Sequence, residues 1–233
     1  MPETLRFPAV LFDLDGTLLD TLSDIARCMN LALEQAGFPA HPRDAFRTMV
    51  GEGLRVLAAR VLPQGSRDDA SVESVMAGFS REYDRSWNRD TRPYPGVREM
   101  LDRLAGLGAT LAVLSNKPHE FTVRCVDHYF PDAPFARVRG QVPGVPRKPD
   151  PAGALAIARE LGLAPESFAY VGDSATDMKT ARGAGMFPVG ALWGFRTREE
   201  IQEAGARALA ETPRDVLRVL SPGGRTDLAG GER

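Results

Sequence analysis

Cysteine and histidine are scarce in this chain, and their scarcity narrows its chemistry. Among 233 residues there are two cysteines, Cys28 and Cys125, and three histidines, His41, His119 and His128. The cysteines stand at no metal-ligand spacing and have no obvious histidine partner, which argues against a catalytic thiol. Each falls within an apolar helical pattern and reads as a reduced, partly buried small side chain. The histidines are isolated, and His119 is expected at an exposed helix start. An excess of one charge is missing too. Lys plus Arg number 29 against 31 Asp plus Glu, a net charge of -2, which gives no electrostatic footprint for a nucleic-acid partner. No apolar run approaches the ~20 residues that span a bilayer. The first residues lack the basic segment, apolar run and small-residue cleavage site of a secretory signal. A cytoplasmic protein with neither a nucleic-acid nor a membrane partner, either monomer or homodimer, is expected. Trp87, Trp193 and the other scattered aromatics read as packing rather than as stacking platforms for bases.

What is present is ordinary globular composition, 43% hydrophobic and 26% charged. That suits one large domain or a core with a smaller insert. Pro8–Asp13 is a short apolar run ending in a carboxylate and reads as a buried strand. Leu22, Ile25, Ala26, Met29, Leu33 and Ala36 then share one helical face, and Gly37 stops that helix. Onward to about Thr91 no convincing strand occurs. Leu54, Leu57, Ala58 and Val61 form one stripe, and Val72, Val75, Met76, Phe79 and Tyr83 another, so this is a helical block. After Pro93 strands and helices alternate. Strands are expected at Ala109–Leu114, Phe135–Val138, Phe168–Val171 and Phe187–Leu192. Helices are expected after Pro95-Gly96, from about Glu120 to Tyr129, from an Asp150-Pro151 cap to Gly162, and through Ala184. This alternation predicts an α/β fold: a Rossmann-like, mostly parallel sheet with helices on both faces. Residues 221–233 are Gly-rich and polar and read as a disordered tail.

Polar residues gather where open parallel sheets bind ligands, at the carboxyl ends of these strands. Asp13 and Asp15 end the first, Ser115-Asn116-Lys117 the second, and Gly172-Asp173 with Asp177 follow a later one. Lys148 lies in a loop before a helix. Like charges held together disfavour ionisation, so a stable acid cluster needs a cation. All-oxygen ligands suit Mg²⁺, which binds through a few carboxylates plus substrate phosphate. A phosphate monoester fits, its oxygens completing the metal shell while a lysine and backbone N–H groups neutralise the rest. Gly16 lets the backbone after Asp13 curl closely around a phosphoryl group.

The segment Asp13-Leu-Asp15-Gly16-Thr17-Leu-Leu-Asp20-Thr21 resembles the Asp-x-Asp-Gly-Thr signature of the haloacid dehalogenase-like superfamily. Leu114–Pro118, Arg147–Pro151 and Val171–Asp177 resemble its second, third and fourth motifs, in order. A lone Asp-x-Asp is weak; four ordered motifs, spanning nearly the whole chain up to the tail, are specific. The resemblance implies that Asp13 attacks phosphorus to form an aspartyl-phosphate. It makes Asp15 the general acid and then base. The family's dehalogenases and phosphonatases lack an acid at that position, so Asp15 carries the phosphatase reading. By the same resemblance, Mg²⁺ is held by the Asp13 carboxylate, the Asp15 backbone carbonyl and Asp173. Asp177 would be a ligand or orient a metal-bound water. Ser115 and Lys148 complete the catalytic set, one donating to the phosphoryl group and the other balancing charge. Gly16, Thr17, Asn116 and Lys117 line the substrate. The plainer alternatives are turn-capping aspartates, an acid in a first helical turn for Asp177, a helix-cap serine and a solvated lysine.

In this superfamily a helical insert between the first two motifs forms a cap that closes over the site. The expected division is a core of residues 1–18 and 93–220 with a cap of residues 19–92, hinged near Asp20 and Pro93. Val50-Gly51-Glu-Gly53-Leu54-Arg55 resembles the substrate-facing cap loop of phosphoglycolate phosphatases, as does the run from Asp20 through Ser23-Asp24-Ile25. Gly51, the helix start and Arg55, with Arg47 nearby, would receive the carboxylate of a small phosphorylated acid; the plainer reading is a helix start with solvated arginines. The leading expectation is a Mg²⁺-dependent phosphatase acting on a small phosphorylated metabolite, 2-phosphoglycolate first. Pyrophosphate, sugar phosphates or nucleotides as substrates, and a phosphosugar mutase, are the alternatives. A non-catalytic phospholigand-binding relative would be expected to have lost Asp13, Asp15 or Lys148, and none is missing.

Overall fold

The apolar run near the start of the chain becomes the hub of a parallel sheet. The protein is described by a computed structural model over residues 5–223. Most of the tail expected over 221–233 therefore lies outside the described residues. In chain order the strands are β1 (Ala9–Phe12), β2 (Leu19–Asp20), β3 (Arg92–Pro93), β4 (Thr110–Pro118), β5 (Phe135–Gln141), β6 (Phe168–Gly172), β7 (Phe187–Ala191) and β8 (Ala208–Ala210). The helices are α1 (Leu22–Gln35), α2 (Phe46–Met49), α3 (Leu54–Val61), α4 (Asp69–Ser86), α5 (Val97–Gly106), α6 (His119–Tyr129), α7 (Ala152–Glu160), α8 (Ala175–Gly183), α9 (Arg198–Glu203) and α10 (Pro213–Leu220).

Six strands form one sheet in the order β5-β4-β1-β6-β7-β8, and every pairing in it is parallel. The period-2 geometry of a strand sends alternate side chains to opposite faces. Val10 and Phe12 accordingly join one apolar cluster and Ala9 and Leu11 another. The same split holds for Leu111 and Val113 against Ala112 and Leu114, and for Ala169 and Val171 against Phe168 and Tyr170. Side chains of α5, α6 and α10 belong to the first cluster, those of α7 and α8 to the second. The expected doubly wound α/β sheet, covered on both faces, is the fold observed. Leu11 and Phe12 are fully buried, and each such side chain contributes roughly 1.5–3 kcal/mol of transfer free energy.

The helical stripes also form as expected. In α1 the buried residues include Leu22, Ile25, Ala26, Met29 and Leu33, and Gly37 follows in the left-handed region at φ 80, which other residues avoid. Val72, Val75, Phe79 and Tyr83 are the buried face of α4, which packs on α1. Strand β8 and helices α9 and α10 are not expected from the sequence pattern, and two further findings bear on the site. Strand β4 runs on through Ser115–Pro118, because after an irregularity Pro118 pairs again with Gln141 of β5. The antiparallel pair β2–β3 sets Leu19 against Pro93 and Asp20 against Arg92, so both ends of the helical block meet at one place. Buried Asp24 fastens that junction, accepting hydrogen bonds from the backbone N–H groups of Asp90 at 2.9 Å and Thr91 at 2.8 Å. Among the described residues no helix is long and apolar enough to cross a membrane.

Candidate active site

Three segments that follow strands meet at one edge of the sheet. Asp13 follows β1 directly, its backbone N–H donating to the Val171 carbonyl of β6 at 3.0 Å. Asp173 follows β6, Asp177 lies in the first turn of α8, and Lys148 comes from the loop before α7. Carboxylate oxygens of Asp13, Asp173 and Asp177 all lie within 4.8 Å of one another, and all three residues are buried.

Lys148 ties this cluster together. Its buried ammonium lies 2.8 Å from Asp13 Oδ1 and 2.7 Å from Asp177 Oδ1 and donates to the Leu114 carbonyl at 3.1 Å, which uses all three of its donors. Burial alone would lower its pKa, but Asp13 and Asp177 hold it well above the usual lysine range. The carboxyls move the other way. Burial, then the neighbouring Asp177, raises Asp13 to about 7 against the pull of Lys148. Burial, then Asp177 and Asp13, raises Asp173 well above the usual carboxylate range.

Three buried carboxylates with one ammonium leave about two negative charges uncompensated when all are ionised, which one divalent cation would neutralise. The donors are oxygens only, the set that suits a hard cation. The carboxylates differ in what they have to offer. Asp177 accepts from Lys148 and Tyr170 on Oδ1, and from the Ser174 hydroxyl at 2.6 Å and backbone N–H at 3.2 Å on Oδ2. Four donors occupy its lone pairs. Asp173 accepts one bond at each oxygen, from the Phe195 N–H at 2.7 Å and the Thr17 hydroxyl at 3.3 Å. Asp13 and Asp173 thus keep lone pairs free for an ion, and Asp177 is chiefly the anchor of Lys148 and the capping-box partner of Ser174.

The other expected residues divide into those at the site and those beside it. The Asp15 carboxylate is held by the Lys117 ammonium at 3.1 and 3.3 Å. Ser115 is buried and lines the cavity above Asp13 and Asp15 together with Asn116, Lys117, Gly51 and Gly53. Asn116 is a three-way joint. Its amide donates to the carbonyls of Gly51 and Lys148, each at 3.0 Å, and its oxygen accepts from the Lys148 N–H at 2.9 Å. Gly16 and Thr17 turn toward Asp173 instead of lining the cavity. A Cβ on Gly16 would stand 2.3 Å from Asp173 Oδ2, and its φ is 86, so glycine is required there for an approach to a carboxylate. Arg55 faces away from the cavity. On the exposed surface of the helical block it bonds Asp69 and Glu73, because α3 presents Leu54 and Leu57 to the cavity and not the intervening residues. His119 is not at the site; its Nδ1 accepts the Gly140 N–H at 3.2 Å.

Several residues of the site carry no chemical signal in the sequence. Leu57, Phe79 and Tyr83 line the cavity, yet in the sequence they are ordinary members of apolar stripes. Phe195 and Arg196 sit in the loop after β7, where Arg196 donates to the Val50 carbonyl at 2.8 Å and the Gly194 carbonyl accepts from Arg47 at 3.3 Å. Ser174 was findable, since its spacing to Asp177 is that of a capping box.

A doubly wound parallel sheet with acids and a buried lysine converging past its strand ends defines an α/β core with a candidate site for a cation and an anionic ligand. Residues 10–191 match the haloacid dehalogenase-like hydrolase family, and the chain belongs to that family. A phosphoglycolate phosphatase of Pseudomonas putida is 35% identical over 221 residues, which cover 92% of this chain and 78% of that protein. A phosphoglycolate phosphatase of Aliivibrio fischeri is 30% identical over 217 residues, covering 91% of this chain and 96% of that one. A solved structure from Lactobacillus delbrueckii subsp. bulgaricus superposes with a TM-score of 0.86 at 28% identity, over 92% of this chain and 98% of that one.

Proposed function

We propose that this enzyme, a phosphoric monoester hydrolase, is Mg²⁺-dependent and works through a phosphoryl group carried transiently on Asp13. The observation that carries the reading is the buried cluster in which Lys148 spans Asp13 at 2.8 Å and Asp177 at 2.7 Å. The charge deficit of that cluster suits a divalent ion held by Asp13 and Asp173, with the Asp15 backbone carbonyl as a further donor. When bound, the ion draws charge from the phosphoryl oxygens and offsets that of the carboxylates.

The residues divide the work. Asp13 attacks phosphorus, and the bond to the ester oxygen breaks as the new Asp–O–P bond forms. Asp15 gives its proton to the departing alkoxide and later takes one from the water that attacks the aspartyl-phosphate, releasing inorganic phosphate. Ser115 donates to a phosphoryl oxygen. Lys148 keeps Asp13 placed and shields the approach of one anion to another. Asp177 holds Lys148, and Thr17 and the Phe195 N–H orient Asp173.

Residues 19–92 act as the cap over a core of residues 1–18 and 93–220, with β2–β3 and the Asp24 clamp as the hinge. Support comes from the contacts that reach across: Asn116 to Gly51, Arg196 to Val50 and Arg47 to Gly194. The leading substrate is 2-phosphoglycolate, on the strength of the relatives and of the glycine-flanked start of α3 at the cavity wall. The test is Asp13→Asn. It should reduce turnover of any phosphate ester by roughly 10³-fold or more while leaving the thermal transition cooperative. Near-normal turnover by the variant would remove Asp13 as nucleophile. A panel of esters ranked by kcat/KM, with phosphoglycolate included, tests the named substrate.

A further inference from the structure

The cavity has a polar floor and an apolar roof. Asp13, Asp15, Ser115 and Lys117 form the floor, while Ile25, Leu54, Leu57 and Phe79 belong to the roof supplied by the helical block. Among the side chains of that roof one carries a polar atom. Tyr83 lines the cavity, is 1% exposed, and its hydroxyl has no hydrogen-bond partner. Buried tyrosine hydroxyls ordinarily find one. Among the described residues Thr21 Oγ1 and Arg27 Nε are also buried without a hydrogen-bond partner, and neither residue lines the cavity.

The ring is firmly held. It stacks on Phe79 with centroids 5.0 Å apart and meets the edge of Phe121 at 5.1 Å. The Lys117 ammonium lies over its face, 4.6 Å from the centroid, with its hydrogen bonds directed to Asp15 at 3.1 and 3.3 Å. Asp15, Lys117 and Tyr83 therefore form a row that leads from the floor to the roof. If Asp15 protonates the ester oxygen, the remainder of the leaving group extends along that row, away from Asp13. A hydroxyl whose proton finds no acceptor in the protein, on a ring that lines the cavity at the end of this row, is placed to receive an acceptor from the leaving group.

We infer that Tyr83 is a specificity-determining residue whose hydroxyl donates a hydrogen bond to an oxygen on the alcohol portion of the ester. The favoured substrates are then phosphate esters whose alcohol carries a carboxylate or hydroxyl oxygen, in preference to plain alkyl phosphates of equal length. The inference rests on the phosphatase reading of this site and is independent of phosphoglycolate being the substrate.

The test compares wild type with Tyr83→Phe, in Mg²⁺, on phosphoglycolate (carboxylate), glycerol 3-phosphate (hydroxyl) and ethyl phosphate (neither). A site built to bond an oxygen loses much of its preference when the partner is removed, so the variant should lose roughly tenfold in kcat/KM on whichever oxygen-bearing ester the wild type prefers. That loss should be at least about five times the loss on ethyl phosphate. The thermal midpoint should change little, because the hydroxyl proton has no acceptor in the fold and the neighbouring Lys117 ammonium keeps its bonds to Asp15. An equal loss on all three esters, or a loss below about twofold on the preferred one, overturns the inference. If glycerol 3-phosphate outranks phosphoglycolate and Tyr83→Phe removes that preference, the substrate named above falls and the role of Tyr83 stands.

Discussion

The floor and the roof of the cavity are built on opposite principles. On the floor the two lysines are buried and ion-paired, Lys148 with Asp13 and Asp177 and Lys117 with the half-buried Asp15. The roof brings apolar surface and one hydroxyl, and the ion pairs of the helical block, such as Arg55 with Asp69 and Glu73, lie on its outer side. The floor has the means for breaking a phosphate ester and little that distinguishes one alcohol from another. On the proposed reading, choice of substrate falls to the roof, through its shape, the start of α3 and the Tyr83 hydroxyl.

The sharpest way to break this contrast is to unpair the floor. Lys148→Met removes the one cation shared by Asp13 and Asp177 and leaves both carboxylates buried without it. We expect turnover to fall by roughly 10²-fold or more and the metal-free protein to lose about 3–5 kcal/mol in denaturant unfolding. A variant with wild-type stability would show that the cluster is not held by this lysine.

A smaller effect follows from the carboxyl shifts. Asp13, raised by burial and Asp177 to about 7, binds more protons folded than unfolded between its unfolded value of 3.8 and its folded one. Its contribution to the stability of the metal-free protein is fully present below 3.8 and is lost as pH rises through about 7. Asp173, also raised, acts in the same direction. The melting temperature of chelated protein should therefore fall between about pH 5 and about pH 8. Added Mg²⁺ should restore much more of it at the upper end, where protons no longer compete. A chelated protein that melts higher at the upper end would reverse the sign.

The smallest effect belongs to the outside of the roof. Arg55→Ala should leave kcat/KM for the preferred ester within about twofold, since exposed ion pairs contribute little. A selective rise in KM for esters carrying a carboxylate would show that Arg55 swings inward, and would move part of the recognition onto the first turn of α3.

How much of this was legible in the sequence also differs between the two regions. The floor is made of short segments whose polarity conflicts with the apolar strands they end, as at Asp13 after Ala9–Phe12 and Asp173 after Phe168–Gly172. That conflict marked them before any contact was known. The stripes of α1, α3 and α4 were equally plain, but periodicity gives the buried face of a helix without saying what lies against it. Tyr83 and Phe79 read as core and proved to face a cavity; Arg55 read as a substrate contact and proved to face outward. Strand β8, three residues of Ala-Leu-Ala, has too little β-branched or alternating character to be noticed. The partners of Asp173, the Thr17 hydroxyl and the Phe195 N–H, depend on chain reversals that no local pattern encodes.

The most direct measurement is calorimetric titration of Mg²⁺ into wild-type and Asp173→Asn protein, with turnover followed in the same preparations. The account predicts one ion per chain in the wild type, binding weakened by roughly 10²-fold or more in the variant, and turnover that disappears with chelation. Equal binding by the two proteins, or undiminished turnover in chelator, would contradict it.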